Sequence, residues 1–373
     1  MLKRHLDLLL MIMCHIFTRI WIRNYHLAVI DGVRRIDFLF GVHMVRKDCF
    51  RVWSDDTMKN ILILGGAGFL GINLCGFLLG KGYNVIIYNR ESSGLKKARE
   101  LFRDAEVYVS DFKCEDNWDT ILDNIDVVFH LISDSNPANK NVSSEFSHNV
   151  MPTISLLEKI KEKNIKIIFF SSGGTVYGLP KSLPIEESHP TDPISPYGIQ
   201  KLCIEKILEY YGRTYGLDYR ILRISNPYGA FQNPNSNQGV IAVFMAKMLQ
   251  KQKIQIWGNG TNIRDYLYVD DLLAACEKII SYSGVCRVFN IGSGVGISLQ
   301  KIIELIQQRL DCSANVEYIP GRVHDVSANV LSYGLAEHEL YWQPKIDIKT
   351  GIDYMKQMWD TEHLMFSRKL LRK

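Results

Sequence analysis

At 373 residues, with 47% hydrophobic and 23% charged content, the chain is long enough for two domains and reads only as an enzyme-sized globular protein. Its net charge of +4 sits mostly at the start, where residues 1–57 carry 9 Lys/Arg against 6 Asp/Glu; the rest is nearly neutral, which excludes a nucleic-acid footprint. Eight cysteines show no CxxC and no Cys/His pair at ligand spacing, so neither a metal site nor a disulfide framework is expected and reduced thiols in the cytoplasm fit best.

The apolar run Leu8 to Met13 is bounded by Asp7, His15 and Arg19, too short for the about 20 residues of a spanning helix, so no integral membrane segment is expected. No small-residue cleavage site follows it. Residues 1–57 read as a leader outside the fold, with Met58 as the true start; a peripheral-membrane or oligomerisation arm is the competing reading.

From Ile61 to Leu64 a continuous apolar run predicts a parallel strand covered on both faces. Gly65-Gly66-Ala67-Gly68-Phe69-Leu70-Gly71 follows, containing Gly-x-Gly-x-x-Gly. Glycines there permit the tight turn, the approach of a pyrophosphate and close helix packing, while the N–H groups opening the helix near Phe69 and Leu70 face the anion. A second strand, Val85 to Tyr88, ends in Asn89 and Arg90 where an acid usually holds the ribose of NAD. Without that carboxylate Arg90 either pairs with a 2′-phosphate or points to water, so the cofactor is NAD or NADP. Asp111 and Phe112, after a third strand at Val107 to Val109, are placed for the adenine edge or form a helix cap. A fourth strand, Asp126 to Leu131, runs past the cofactor at Leu131, and His130 reads as structural.

Ile165 to Phe170 predicts another buried strand, ending in the hydroxyl run Ser171-Ser172-Gly173-Gly174-Thr175-Val176-Tyr177-Gly178, where open α/β sheets bind ligands. Ser195-Pro196-Tyr197 opens a helix that sets Tyr197 and Lys201 four residues apart on one face. A phenol with an ordinary pKa of about 10 is a poor base, and a nearby ammonium is expected to draw it toward the working range.

From Met58 on, the chain resembles the extended short-chain dehydrogenase/reductase family, in its nucleotide-sugar epimerase and dehydratase branch related to UDP-galactose 4-epimerase. The resemblance rests on the glycine turn, the hydroxyl run, Tyr-x-x-x-Lys, Arg223 to Gly229 (Arg-x-x-Asn-Pro-Tyr-Gly), and Gly258 to Asp271, in that order over some 300 residues. It implies an α/β fold: a Rossmann doubly wound parallel sheet with a smaller, interleaved substrate domain. Residues 58–225, with 262–290 returning, would bind NAD(P); residues 226–261 and 291–373 would mainly bind the nucleotide sugar.

The same resemblance implies Tyr197 and Lys201 as acid/base pair, with a Ser or Thr hydroxyl holding the sugar 4-oxygen. Gly173 stands at the position aligned with that hydroxyl, so Thr175 or Ser172 is left to supply it. Asn226 would bind the diphosphate or sugar, and Arg264 and Arg322 phosphate oxygens, although each Arg could serve only as a surface ion pair. A homodimer is implied as well. The expected activity is 4-epimerisation through a transient 4-keto sugar. Gly174-Thr175 replaces the Asp-Glu pair of the 4,6-dehydratases, which argues against elimination. The rivals are an NAD(P)H-dependent reductase of a nucleotide-4-keto-6-deoxyhexose and, from another class, a non-catalytic cofactor sensor.

Overall fold

A computed structural model describes residues 59–135, 139–236, 238–320 and 326–370, with side chains as far as residue 360. The expected leader and Arg322 lie outside the described residues. The strands in chain order are β1 (Asn60–Leu64), β2 (Asn84–Asn89), β3 (Glu106–Val109), β4 (Val127–His130), β5 (Lys166–Ser172), β6 (Tyr219–Ile224), β7 (Asn226–Tyr228), β8 (Lys253–Trp257), β9 (Ile263–Tyr268), β10 (Val288–Ile291), β11 (Gly296–Ser298), β12 (Asn315–Ile319) and β13 (Ala328–Asn329). The principal helices are α1 (Phe69–Gly80), α2 (Ser93–Leu101), α3 (Met151–Ile160), α4 (Pro196–Tyr215), α5 (Val240–Leu249), α6 (Val269–Ser281), α7 (Leu299–Leu310) and α8 (Ile348–Leu370).

Seven strands form one parallel sheet in the order β3-β2-β1-β4-β5-β6-β10. The order reverses at β1, and the crevice opens there, at the carboxyl ends of β1 and β4. Alternation along β1 explains its unbroken apolar run. Ile61 and Ile63 pack with Leu74 and Leu78 of α1 and with Leu272 and Cys276 of α6. Leu62 and Leu64 join the opposite layer, with Leu156 and Ile160 of α3 and Ile204 and Leu208 of α4. Both faces are covered, so a polar residue at any of these positions would be stranded without water.

The remaining strands make smaller sheets. β9 pairs with β7, β11 and β13, and β8 pairs with β12. Along β8 buried Ile254 and Ile256 alternate with exposed Lys253, Gln255 and Trp257. α4 begins as its sequence predicts: the Ser195 hydroxyl accepts the Gly198 N–H, Pro196 occupies the first turn, and the helix stops at Gly216 with φ +73°. No helix among the described residues is long and apolar enough to cross a membrane.

His130 closes β4 in the core, 1% exposed, its Nε2 2.9 Å from the Thr153 hydroxyl of α3 and its ring between Phe112 and Phe169. Burial, with a smaller push from the Lys201 cation, lowers its pKa from 6.5 to about 3. Below pH 6.5 the unfolded chain gains a proton that the folded chain refuses until about pH 3, so stability present above 6.5 is lost as pH falls across that window. Melting temperatures measured from pH 7 to pH 4 should therefore fall less steeply for His130→Gln than for the wild type, even if the variant melts lower at pH 7.

Candidate active site

The turn after β1 is pinned to β2: Gly65 and Gly66 donate their N–H groups to the Tyr88 carbonyl at 2.9 and 3.3 Å, and Gly65 has φ +87°. α1 packs so closely that a Cβ at Gly71 would lie 2.2 Å from the Gly65 oxygen. Above Gly68, by contrast, an added Cβ would meet nothing closer than 3.4 Å, and no side chain caps the helix. The first-turn N–H groups of Phe69, Leu70 and Gly71 have no acceptor within their own helix. An open cradle lined by helix-terminal donors fits a dinucleotide diphosphate.

Around it, Leu131 donates its N–H to the Leu64 carbonyl (3.0 Å) and so follows the end of β1. Asn89 ends β2, its amide nitrogen bound to the Arg90 carbonyl. Arg90 pairs with Asp134 of the segment after β4 at 3.3 Å, reaching across the carboxyl end of β1 that separates their strands. Asp111 caps the short turn Phe112–Cys114 by accepting the Lys113 N–H, while the Phe112 ring packs edge-on against Trp118 and His130.

Tyr197 and Lys201 stand in the first turns of α4, as their spacing requires. Lys201 is 2% exposed; its Nζ donates to the Phe170 carbonyl of β5 at 2.8 Å and lies 5.8 Å from the centre of the Tyr197 ring. Burial lowers the Lys201 pKa to about 8 against the opposing pull of Glu205 and Glu145. Tyr197 departs from the sequence expectation. Burial, then the Glu145 carboxylate, raise its pKa to about 12, opposed only by the Ser133 hydroxyl. Desolvation, with the Glu145 carboxylate second, sets that direction.

The hydroxyl run divides by partner. Ser171 donates to Glu205 of α4 at 2.5 Å, and Arg223 of β6 grips the same carboxylate through Nη2 (2.7 Å) and Nε (3.2 Å). Arg223 also donates to the Tyr177 hydroxyl (2.9 Å), which in turn donates to Asn290 of β10 (2.7 Å). Ser171 and Tyr177 are thus committed to a buried network. Ser172 is half-buried at the end of β5. Thr175 lies against the start of α4, where a Cβ on Gly198 would come 2.8 Å from its carbonyl oxygen, and its hydroxyl is buried without a partner. Gly173 is explained by space: a Cβ there would meet the Leu331 side chain at 2.4 Å and the Arg223 carbonyl at 3.2 Å.

On the substrate side, Asn226 of β7 donates to the Asp265 carbonyl of β9 at 2.9 Å, next to Arg264, whose Nη1 donates to Ile263. Asp265 is wholly buried and accepts from Ser293 N–H and Oγ, Gly294 N–H and Leu331 N–H at 2.7 to 3.2 Å. One carboxylate therefore ties the Arg264 strand to the Leu331 segment that fills the space beside Gly173. Sequence reading passed over Glu145, Glu205 and Asp265. Glu205 carried a signal four residues beyond Lys201 on the same helical face, and Asp265 lay inside the Gly258 to Asp271 motif, whereas Glu145 carried none.

A glycine cradle at the reversal of a parallel sheet, with Tyr197 and Lys201 on the helix after the fifth strand, defines a dinucleotide-dependent enzyme of the short-chain dehydrogenase/reductase class. The chain belongs to the NAD dependent epimerase/dehydratase family, whose model matches residues 61–292. It is 36% identical to a putative UDP-glucose 4-epimerase of Methanocaldococcus jannaschii over 78% of this chain and 95% of that one. It is also 32% identical to a dTDP-4-dehydro-6-deoxyglucose reductase of Escherichia coli, covering 80% and 97%. Among solved structures, UDP-glucose 4-epimerase of Thermotoga maritima with UDP-glucose superposes with a TM-score of 0.77 at 34% identity, covering 81% and 99%. The Thermus thermophilus UDP-glucose 4-epimerase in complex with NAD gives 0.73 at 26%, covering 79% and 97%.

Gly173→Ser tests the spatial reading. The added side chain has no room, so the variant should lose about 1–3 kcal/mol by overpacking, seen as a lower denaturant midpoint, and should not gain turnover.

Proposed function

We propose that the protein is a nucleotide-sugar 4-epimerase acting on a UDP-hexose, with NAD as its cofactor. The observation that carries the reading is the Thr175 hydroxyl, buried without a partner against the first turn of the helix that bears Tyr197 and Lys201. A buried hydroxyl left unsatisfied is a cost that a sugar oxygen relieves.

Bound NAD supplies a reversible acceptor for the C4 hydride. The residues of this chain do the rest. Tyr197 carries the proton of the sugar O4, Thr175 holds that oxygen in place with Ser172 beside it, and Lys201 fixes the floor through the Phe170 carbonyl. Gly65, Gly68, Phe69, Leu70 and Gly71 would cradle the cofactor diphosphate. Asn226, Arg264 and Arg322 would hold the sugar diphosphate, for which guanidinium forks are suited. Residues 58–225 with 262–290 would form the cofactor half, and 226–261 with 291–373 the sugar half.

We further propose a cytoplasmic homodimer. The apolar side chains of Met151 on α3 and of Ile199, Tyr210 and Tyr215 on α4 are exposed on two helices that pack together, a surface suited to a second copy. The reductase alternative draws support from the Escherichia coli relative and from the missing acid at Asn89.

Incubation with UDP-glucose or UDP-galactose should interconvert the two with no net change in reduced cofactor. Stoichiometric consumption of NADPH with a 4-keto sugar, and no interconversion, would assign the reductase instead. Tyr197→Phe should cut turnover by about 10²-fold or more. Thr175→Val should lower it well beyond the effect of Ser171→Ala on turnover per folded molecule; equal effects would remove Thr175 from the reaction.

A further inference from the structure

β2 ends in Asn89, with Arg90 next, at the place where an acid would hold a ribose 2′-hydroxyl and repel a 2′-phosphate. The chain that follows stays against the glycine turn. A Cβ on Gly94 would lie 2.4 Å from the Ala67 carbonyl oxygen, and the Ser92 hydroxyl caps α2 by accepting the Leu95 N–H at 3.1 Å. Arg90 therefore stands at the ribose edge of the cradle, and a guanidinium there is suited to a phosphate.

That guanidinium already has a partner. Its Nη2 lies 3.3 Å from Oδ1 of Asp134, while the other oxygen of the same carboxylate lies 3.7 Å from Lys113 Nζ and 3.3 Å from His148 Nδ1. Lys113 also lies 3.6 Å from Asp111, and Glu91, beside Arg90 in the chain, pairs with Arg99 at 3.7 Å. Arg90 and Lys113 are thus matched in charge by Asp134 and Asp111. The position of Asp134 is fixed from behind, because its N–H donates at 2.8 Å to the side-chain oxygen of Asn149, which is 2% exposed. The Arg90 and Asp134 side chains are themselves 59% and 30% exposed, and an ion pair so open to water contributes little to folding. Its consequence falls instead on the charge that a ligand meets.

We propose that Asp134 is the specificity-determining residue that makes the cradle prefer NAD to NADP. It occupies Arg90 and, together with Asp111, Lys113, so a 2′-phosphate reaching for either cation meets a carboxylate. A ribose with a free 2′-hydroxyl asks for no such charge and meets no such repulsion. Asp134 thereby does from the end of β4 what an acid at position 89 would do from the end of β2. The proposal rests on the reading of the glycine turn as a dinucleotide cradle and is independent of what happens to the sugar.

The test strips the protein of nucleotide on charcoal and titrates it with NAD and with NADP in a calorimeter. The wild type should bind NAD more tightly than NADP by about tenfold or more. Asp134→Asn keeps the size of the side chain and the N–H to Asn149; it should narrow that ratio by about tenfold, through tighter binding of NADP, the worth of one charge-assisted hydrogen bond released. Adding Arg90→Leu to Asp134→Asn should abolish the gain, and Asp134→Ala serves in place of the amide should that variant not fold. A wild type that binds NADP as tightly as NAD, a ratio unmoved by loss of the carboxylate, or a gain that survives loss of Arg90 overturns the proposal. Binding of neither nucleotide would sink the cofactor reading and the proposal with it. The readout needs no turnover, so failure to interconvert UDP-sugars would count against the epimerase reading alone.

Discussion

The buried contact between Glu205 and Arg223 holds the helix of Tyr197 and Lys201 in place. Glu205 lies on α4 and Arg223 on β6, and both are nearly inaccessible, so their charges are safe only while each satisfies the other. The bidentate geometry, with Ser171 of β5 as a further donor to the carboxylate and Tyr177 and Asn290 extending the chain of bonds to β10, fixes the angle of α4 against three strands. Removing either partner of such a pair typically costs about 3–5 kcal/mol because the other is left charged and dry. Tyr197 and Lys201 begin the helix that this contact anchors, and a shift of the helix would move both.

A second carboxylate does comparable work on the substrate side. Four hydrogen bonds from two separate loops compensate the burial of Asp265, while burial still raises its pKa. Through Leu331 it reaches the end of β5, where the space for a hydroxyl at position 173 is taken. The loss of that hydroxyl and the placement of Arg264 therefore depend on one another through a single side chain. Glu205 and Glu145 both favour the charged form of Lys201 against its burial.

The order of elements was legible because it depends on local pattern. Continuous apolar runs marked β1, β2, β4 and β5, the glycine turn marked the entry to α1, and Ser195-Pro196 marked the start of α4. The Tyr197 to Lys201 spacing placed both side chains on one face by helix geometry alone. Short strands such as β7, β11 and β13 carried no such pattern, since two or three residues hold no period and pair only because distant segments meet.

Sequence by itself determined the fold class, the glycine turn and the spacing that sets Tyr197 and Lys201 on one helical face, because each is set by residues within a few positions of one another. Tertiary structure alone decided the environment of that pair. Burial first, and then Glu145, which stands 52 positions earlier in the chain, raise the pKa of Tyr197. The absence of a side chain at Gly173 depends on Leu331, 158 positions later. Electrostatic and steric effects act through space, and no local spacing encodes which distant group will come to rest beside Tyr197.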